Sequence, residues 1–263
     1  MGMAALTARP RRSASSALPR LGIATYSLRK LSRADAIAAI RELRTRYVNV
    51  KSVHIPYEST QGEREAARAQ FEHAGLEIVG GGTIYLQEED DAHIRFHFDY
   101  ARDCGMPLMV IGATAQTLPR IERFVREYDI PVAVHNHGPE DPHFPGPRDV
   151  LRVIHDMDAR VGVCIDLGHT ARTGVDVVRA VAAAGERLLD IHMKDLRDLR
   201  RKESQCAVGD GAMPVADIFR ELRKMDYLGT VNLEYEIESE NPLPGMKKSL
   251  SFMRRVRDEL SDS

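Results

Sequence analysis

Residues Val132–Pro147 read VAVHNHGPEDPHFPGP. The stretch opens with small and β-branched residues that favour a buried strand. It then delivers His135-Asn136-His137 and dissolves into a proline-rich loop that no ladder of hydrogen bonds can continue. Successive side chains of a strand point to opposite faces, so Val132 and Val134 share one face and Ala133, His135 and His137 the other. One imidazole on a strand is usually a hydrogen-bonded core residue. Two pointing the same way at its C-terminal end ask for a metal ion or a proton.

The same parity runs through the three β-like runs that follow. In VGVCID (Val161–Asp166) the apolar Val161, Val163 and Ile165 alternate with Gly162, Cys164 and Asp166. In LLDIHMK (Leu188–Lys194), Leu189, Ile191 and Met193 alternate with Asp190, His192 and Lys194. In TVNLEYE (Thr230–Glu236), Val231, Leu233 and Tyr235 alternate with Asn232, Glu234 and Glu236. Each strand thus has one apolar face for covering helices and one polar face for a shared interior.

Farther out, the pattern becomes a strict alternation. The earlier strands are LGIATY (Leu21–Tyr26), YVNVKSV (Tyr47–Val53), LEIVGG (Leu76–Gly81), PLMVIG (Pro107–Gly112) and PVAVHNH (Pro131–His137). Amphipathic helical stretches lie between and after the strands at 32–44, 62–75, 89–105, 117–128, 147–156, 174–185, 214–225 and 245–260. Several start after Ser, Asp or Pro and stop at Gly75, Gly105 or Gly185, as capping chemistry predicts. Strand-then-helix repeated eight times predicts an α/β chain folded as a (β/α)8 TIM barrel, which needs roughly 250 residues. A doubly wound open sheet is the alternative, but no G-x-G-x-x-G follows the first strand. The predicted organisation is a disordered N-terminal tail over 1–20, without hydrophobic period, and one barrel domain over 21–263.

Composition removes several function classes. The 263 residues are 43% hydrophobic and 29% charged, with a net charge of -2, so no basic field is available for nucleic acid or an anionic membrane. Cys104, Cys164 and Cys206 are odd in number and far apart, which argues against a disulfide framework or a thiolate zinc site and fits a reducing compartment. No apolar run approaches the ~20 residues of a transmembrane helix. Arg11-Arg12 matches the pair of a twin-arginine export signal, but SASSALPRL supplies no apolar segment behind it, so a cytoplasmic location is expected.

The inward parity brings His135, Asp166, His192 and Glu234 together at the C-terminal strand ends, where barrel active sites form. Any one of them alone reads as a satisfied buried polar residue. Four at equivalent depth are costly to bury without a use. Two imidazoles and two carboxylates suit one divalent ion, with manganese or zinc first and cobalt, iron or magnesium as alternatives. Around them, His169 in DLGHT, Arg172 and Lys194 are candidate substrate contacts. Lys51, inward with Asn49 and Val53 on the second strand, and His54 are candidate proton carriers or substrate contacts. The run Gly80-Gly81-Gly82 is read as letting backbone approach a ligand closely. His93 and His97 lie at i, i+4 without the Glu of H-E-x-x-H and are read as a solvated helix face.

The pieces VHNHG, CIDLGHT, LLDIHMKD, VGDG and VNLEYE, in this order and spacing, resemble the xylose isomerase-like TIM-barrel superfamily of sugar isomerases and epimerases. The resemblance covers nearly all of the chain from Leu21, and D-x-x-H and H-x-K-D are its most specific parts. It implies metal ligands at the ends of strands five to eight, which fall on His135, Asp166, His192 and Glu234. The chain departs from the pattern at His135, where the family usually carries a glutamate that doubles as an acid/base. His137 would then contact substrate, and the proline-rich loop would be a lid or rim. The superfamily also resembles the DNA-repair enzyme endonuclease IV, whose three-metal cluster needs histidines where this chain has GGGTIYL, VIGAT and Ala207.

The expected function is a metal-dependent isomerase or epimerase of a sugar or keto-sugar working through an enediolate. Glu234 is the first choice of base, with Lys51, His54 or His137 returning the proton. Proton abstraction followed by loss of a β-substituent would make a lyase or dehydratase, the alternative reading. A non-catalytic sugar-binding barrel and an AP endonuclease rank below these. The expected partner is a small-molecule sugar, with no nucleic acid and no membrane, and a homo-oligomer is left open.

Overall fold

The computed structural model describes residues 18–260. The tail expected over 1–20 therefore lies outside the described residues up to position 17. The elements are β1 (Arg20–Ala24), α1 (Arg33–Glu42), β2 (Tyr47–Val50), α2 (Gln61–His73), β3 (Glu77–Leu86), α3 (Asp91–Asp103), β4 (Met109–Ala113), α4 (Leu118–Tyr128), β5 (Val132–His135) and α5 (Pro147–Val153). The second half holds β6 (Val161–Asp166), α6 (Leu167–Arg172), α7 (Val177–Ala184), β7 (Leu188–Met193), β8 (Asp195–Leu196), β9 (Gln205–Cys206), α8 (Val215–Lys224), β10 (Thr230–Leu233) and α9 (Leu243–Glu259). Eight parallel strands close into a barrel in the order β1-β10-β7-β6-β5-β4-β3-β2. This is a (β/α)8 TIM barrel. Among the described residues no helix is long and apolar enough to cross a membrane.

Local chemistry explains the helix starts. Ser32 accepts from the Asp35 amide to open α1, and Thr60 with Glu63 forms a reciprocal capping box on α2, each satisfying amides that a helix cannot pair internally. The helices pack apolar stripes on the strands: in α4 Leu118, Ile121, Phe124 and Val125 are buried at helical spacing.

Apolar burial falls into two layers. The larger, between strands and helices, contains the outward residues Val132, Val134, Val163, Ile165, Ile191 and Val231. The smaller, inside the barrel, consists of Val110, Ala133 and Cys164 with Leu108 and Leu189 packed against it. Leu189 corrects the parity reading. The β6–β7 register shifts so that Leu188 pairs with Val163 and Asp190 with Cys164. Leu189 is the extra residue and turns into the barrel floor, as a bulge permits.

Above that floor lies a polar layer. Asp190 accepts from Asn232 Nδ2 at 2.7 Å and Asn49 Nδ2 at 3.1 Å. Gly22 belongs to this layer, since a Cβ there would collide with the Asn232 side chain. The Gly80–Gly82 run also serves packing rather than a ligand. Side chains there would strike Leu108 O, the Met106 thioether and Val110 O of the neighbouring segment. β3 continues through them to Leu86, five residues beyond the expected end.

Candidate metal centre and active-site mouth

Asp166 closes β6 and pairs in register with His192 of β7, which pairs in turn with Asn232 of β10. Glu234 follows two residues later, its amide donating to Met193 O at 3.1 Å. His135 closes β5 opposite Cys164. Strand ends and one inward parity thus bring His135, Asp166, His192 and Glu234 to one level, each at most 5% exposed.

Their donor atoms all lie within 4.8 Å of one another. His135 Nε2 is 3.2 Å from His192 Nδ1 and 3.6 Å from Asp166 Oδ2, and His192 Nδ1 is 3.2 Å from Glu234 Oε2. Four donors about 2.0–2.2 Å from a common centre stand roughly 3.0–3.5 Å apart, so these separations fit one small divalent ion. The chemistry of the set agrees. Two imidazole nitrogens face each other across a gap that one proton can serve, and Asp166 Oδ2 accepts no well-oriented hydrogen bond. A second set, His135, Cys164 and His192, is also close. Burial pushes the Cys164 thiol up to about 12, so it stays protonated and is the poorer ligand.

Electrostatics keep the carboxylates charged. Burial would raise both, but His169, Lys194 and His135 hold Asp166 well below the usual range, and Lys194 and His192 do the same for Glu234. Burial holds His135 well below 6.5, leaving a neutral imidazole with a free lone pair. For His192 burial is outweighed by Cys164 and Glu234, which raise its proton affinity well above the ordinary value.

A cavity of about 300 Å³ opens above the cluster, lined by Tyr26, Lys51, Thr83, Tyr85, His135, His137, His169, Lys194, Glu234 and Glu236. Of the other candidates, Lys51, His137, His169 and Lys194 reach this wall. His54 and Arg172 do not. His54 is 2% exposed in the turn after β2, beside the Leu28 and Leu31 backbone. Arg172 stands behind His169, donating to its Nδ1 at 2.7 Å and to Glu140 at 2.5 Å. Because a guanidinium only donates, His169 carries its proton on Nε2, 3.9 Å from Asp166 Oδ2. The Lys194 ammonium is fully engaged, 2.9 Å from Asp166 Oδ2, 3.1 Å from Glu234 Oε2 and 2.7 Å from Glu236 Oε2.

His137 lies just past the end of β5. Its Nδ1 is 3.2 Å from Asp141 Oδ2 and its Nε2 3.3 Å from the Tyr85 hydroxyl. Asp141 also accepts from the His143 and Phe144 amides, so the proline-rich rim loop and the histidine are fixed by one carboxylate. Asn136, on the opposite parity, ties that loop to the β6 end: its Nδ2 donates to Thr170 Oγ1 and its Oδ1 accepts from the Asp166 amide. Asp141 and Tyr85 were not among the sequence candidates. The rim loop has no period from which to read the first, and ending β3 at Gly81 hid the inward parity of the second.

The fold has many solved counterparts. A xylose isomerase domain protein from Alicyclobacillus acidocaldarius superposes with a TM-score of 0.77 at 17% identity, covering 93% of this chain and 99% of that one. The probable 3-DHS dehydratase AsbF of petrobactin synthesis from Bacillus anthracis gives 0.75 at 13% identity, with 89% and 98% covered. A D-psicose 3-epimerase solved with D-fructose gives 0.73 at 17% identity, with 92% and 99% covered. No curated protein matches in sequence. At such identities the superpositions speak for the fold. The sequence speaks for the lineage: residues 37–256 match the xylose isomerase-like TIM barrel model, and the chain belongs to that family.

Proposed function

We propose that this protein is a metal-dependent isomerase or epimerase of a sugar or keto-sugar, acting through an enediolate of the substrate. The observation that carries the reading is the four-donor cluster at the C-terminal barrel mouth, opening directly on a substrate-sized cavity. The epimerase among the structural counterparts supports it. A divalent ion held by His135, Asp166, His192 and Glu234 would supply Lewis acidity toward a ketone oxygen and its neighbouring hydroxyl, acidifying the C–H bond between them.

The protein's own groups then move the proton. Glu234 lines the cavity as a carboxylate but is held at low basicity by Lys194 and His192. His137 is the stronger base at neutral pH. Burial lowers its pKa, so it is neutral, and the Asp141 carboxylate 3.2 Å from Nδ1 favours the tautomer that carries its proton there, leaving the Nε2 lone pair beside Tyr85. Lys194 keeps Asp166 and Glu234 ionised and pairs with Glu236 at 2.7 Å. His169, fixed by Arg172, presents an Nε2 donor to the cavity wall.

One observation favours the lyase alternative. Where the family usually carries a glutamate acid/base this chain has His135, and the nearby acid/base is the His137–Asp141 dyad, whose histidine can return a proton to a departing hydroxyl; the dehydratase among the counterparts shares this fold.

Native metal analysis combined with deuterium wash-in from solvent across a keto-sugar panel tests both. We expect about one divalent ion per chain, lost in Asp166→Ala and His192→Ala, and exchange of the C–H next to the carbonyl. Unchanged metal content in both variants, or no exchange with any ketose, would refute the proposal. Exchange accompanied by loss of water selects the lyase.

A further inference from the structure

The cavity wall holds two ammonium groups, and among the described residues only one of them has counterions. Lys194 is clasped by three carboxylates. Lys51, just past the end of β2, is half-buried in the same wall. Yet among the described residues its Nζ forms no ion pair and no hydrogen bond; its neighbour is the face of the Tyr26 ring, 5.1 Å from the centroid. Burial lowers its pKa, against a distant pull from Glu234 and Glu236. Facing the cavity without a counterion, this ammonium is placed to meet an anionic group of a ligand.

Its position says which part of a ligand that is. In the closed strand order β2 is separated from β6 by three strands on either side. Lys51 therefore stands across the barrel from Asp166, and a substrate held at the four-donor cluster would present its far end to Lys51. Tyr26 flanks it, and the rest of the cavity wall offers the hydroxyls of Thr83 and Tyr85, with no arginine among the lining residues. A phosphate dianion is usually met by a guanidinium fork or by the amides of a helix N-terminus. One ammonium among hydroxyls suits a monoanion.

We propose that Lys51 receives a carboxylate at the far end of the substrate, so that the enzyme acts on an acidic hydroxy-ketone, a keto sugar acid, rather than on a neutral sugar. This rests on the keto-sugar reading above and narrows it.

Calorimetric titration of the metal-loaded protein with D-gluconate, D-sorbitol and D-sorbitol 6-phosphate, which differ in their terminal groups, tests the assignment. Gluconate should bind roughly tenfold or more tighter than sorbitol, as one charge-assisted pair allows. Lys51→Met should remove that advantage and Lys51→Arg retain part of it. Lys51→Gln, whose amide stays polar, serves if the methionine variant does not fold. Equal binding of gluconate and sorbitol overturns the proposal. An advantage that survives loss of the ammonium overturns it too, because the anion then goes to the metal centre. Tightest binding by the phosphate, lost with Lys51, overturns the carboxylate in favour of a phosphorylated substrate. Metal content and deuterium wash-in are read separately. Full exchange with neutral ketoses would sustain the isomerase and refute only the role of Lys51.

Discussion

Asp190 offers a quantitative test of the interior beneath the candidate metal centre. It is 2% exposed and shared between the Asn49 and Asn232 amides, with His192 Nε2 3.7 Å from its Oδ2. Burial drives its pKa up to about 6, against the opposing pull of His192 and the hydrogen bonds. A carboxyl raised on folding gives a contribution fully present below its unfolded value of about 3.9 and lost as pH rises through the folded one. Between about pH 4 and pH 6 the unfolded chain is ionised while the folded protein still holds the proton. Above that both are ionised and the loss stays constant. The distance between the two pKa values corresponds to about 3 kcal/mol. Asp190→Asn removes the titration at nearly constant shape. Its amide places one NH2 against an asparagine donor, but Asn49 Oδ1 and Asn232 Oδ1 have no partner, so a flip of either neighbour absorbs the change with little dependence on pH. Urea unfolding of chelator-stripped wild type and variant across this range should show their stability difference moving in favour of the variant by about 3 kcal/mol. A difference that is flat, or that moves the other way, would refute the reasoning, because an Asp190 with an ordinary or depressed pKa cannot produce it.

Two further outcomes are expected. Lys194→Met withdraws a positive charge 2.9 and 3.1 Å from two candidate ligand oxygens; metal affinity by competitive chelation should rise roughly tenfold, since like charges near a site oppose a dication, and weakened binding would show instead that Lys194 is needed to position the ligands. Asp141→Asn keeps an oxygen for the His143 and Phe144 amides but can no longer hold the Nδ1 proton of His137; kcat should fall on the order of a hundredfold with metal content unchanged, and its pH profile should lose the histidine limb, whereas an unaltered profile would mean that His137 only shapes the rim.

The barrel and the four-donor set were legible in the residue pattern of the chain. Both follow from periods that local chemistry enforces: two for strands, 3.6 for helices, with caps at their junctions. Because inward parity on a closed barrel leads to a common axis, His135, Asp166, His192 and Glu234 had to meet once eight strands were recognised. What depends on offsets between segments was decided by the tertiary structure alone. The bulge opposite Val163–Cys164 turned Leu189 inward, because register between neighbouring strands is set by packing and not by either strand's own pattern. The glycines of β3 were explained by Met106, Leu108 and Val110 on the adjoining segment. Lys51, His54, Lys194 and Arg172 looked alike as polar residues near strand ends. Only the fold separated a lysine among three carboxylates from one that has no ion pair among the described residues, and a buried histidine behind the wall from those on it, because a side chain's partners come from strands far away in sequence and are fixed by how the barrel closes.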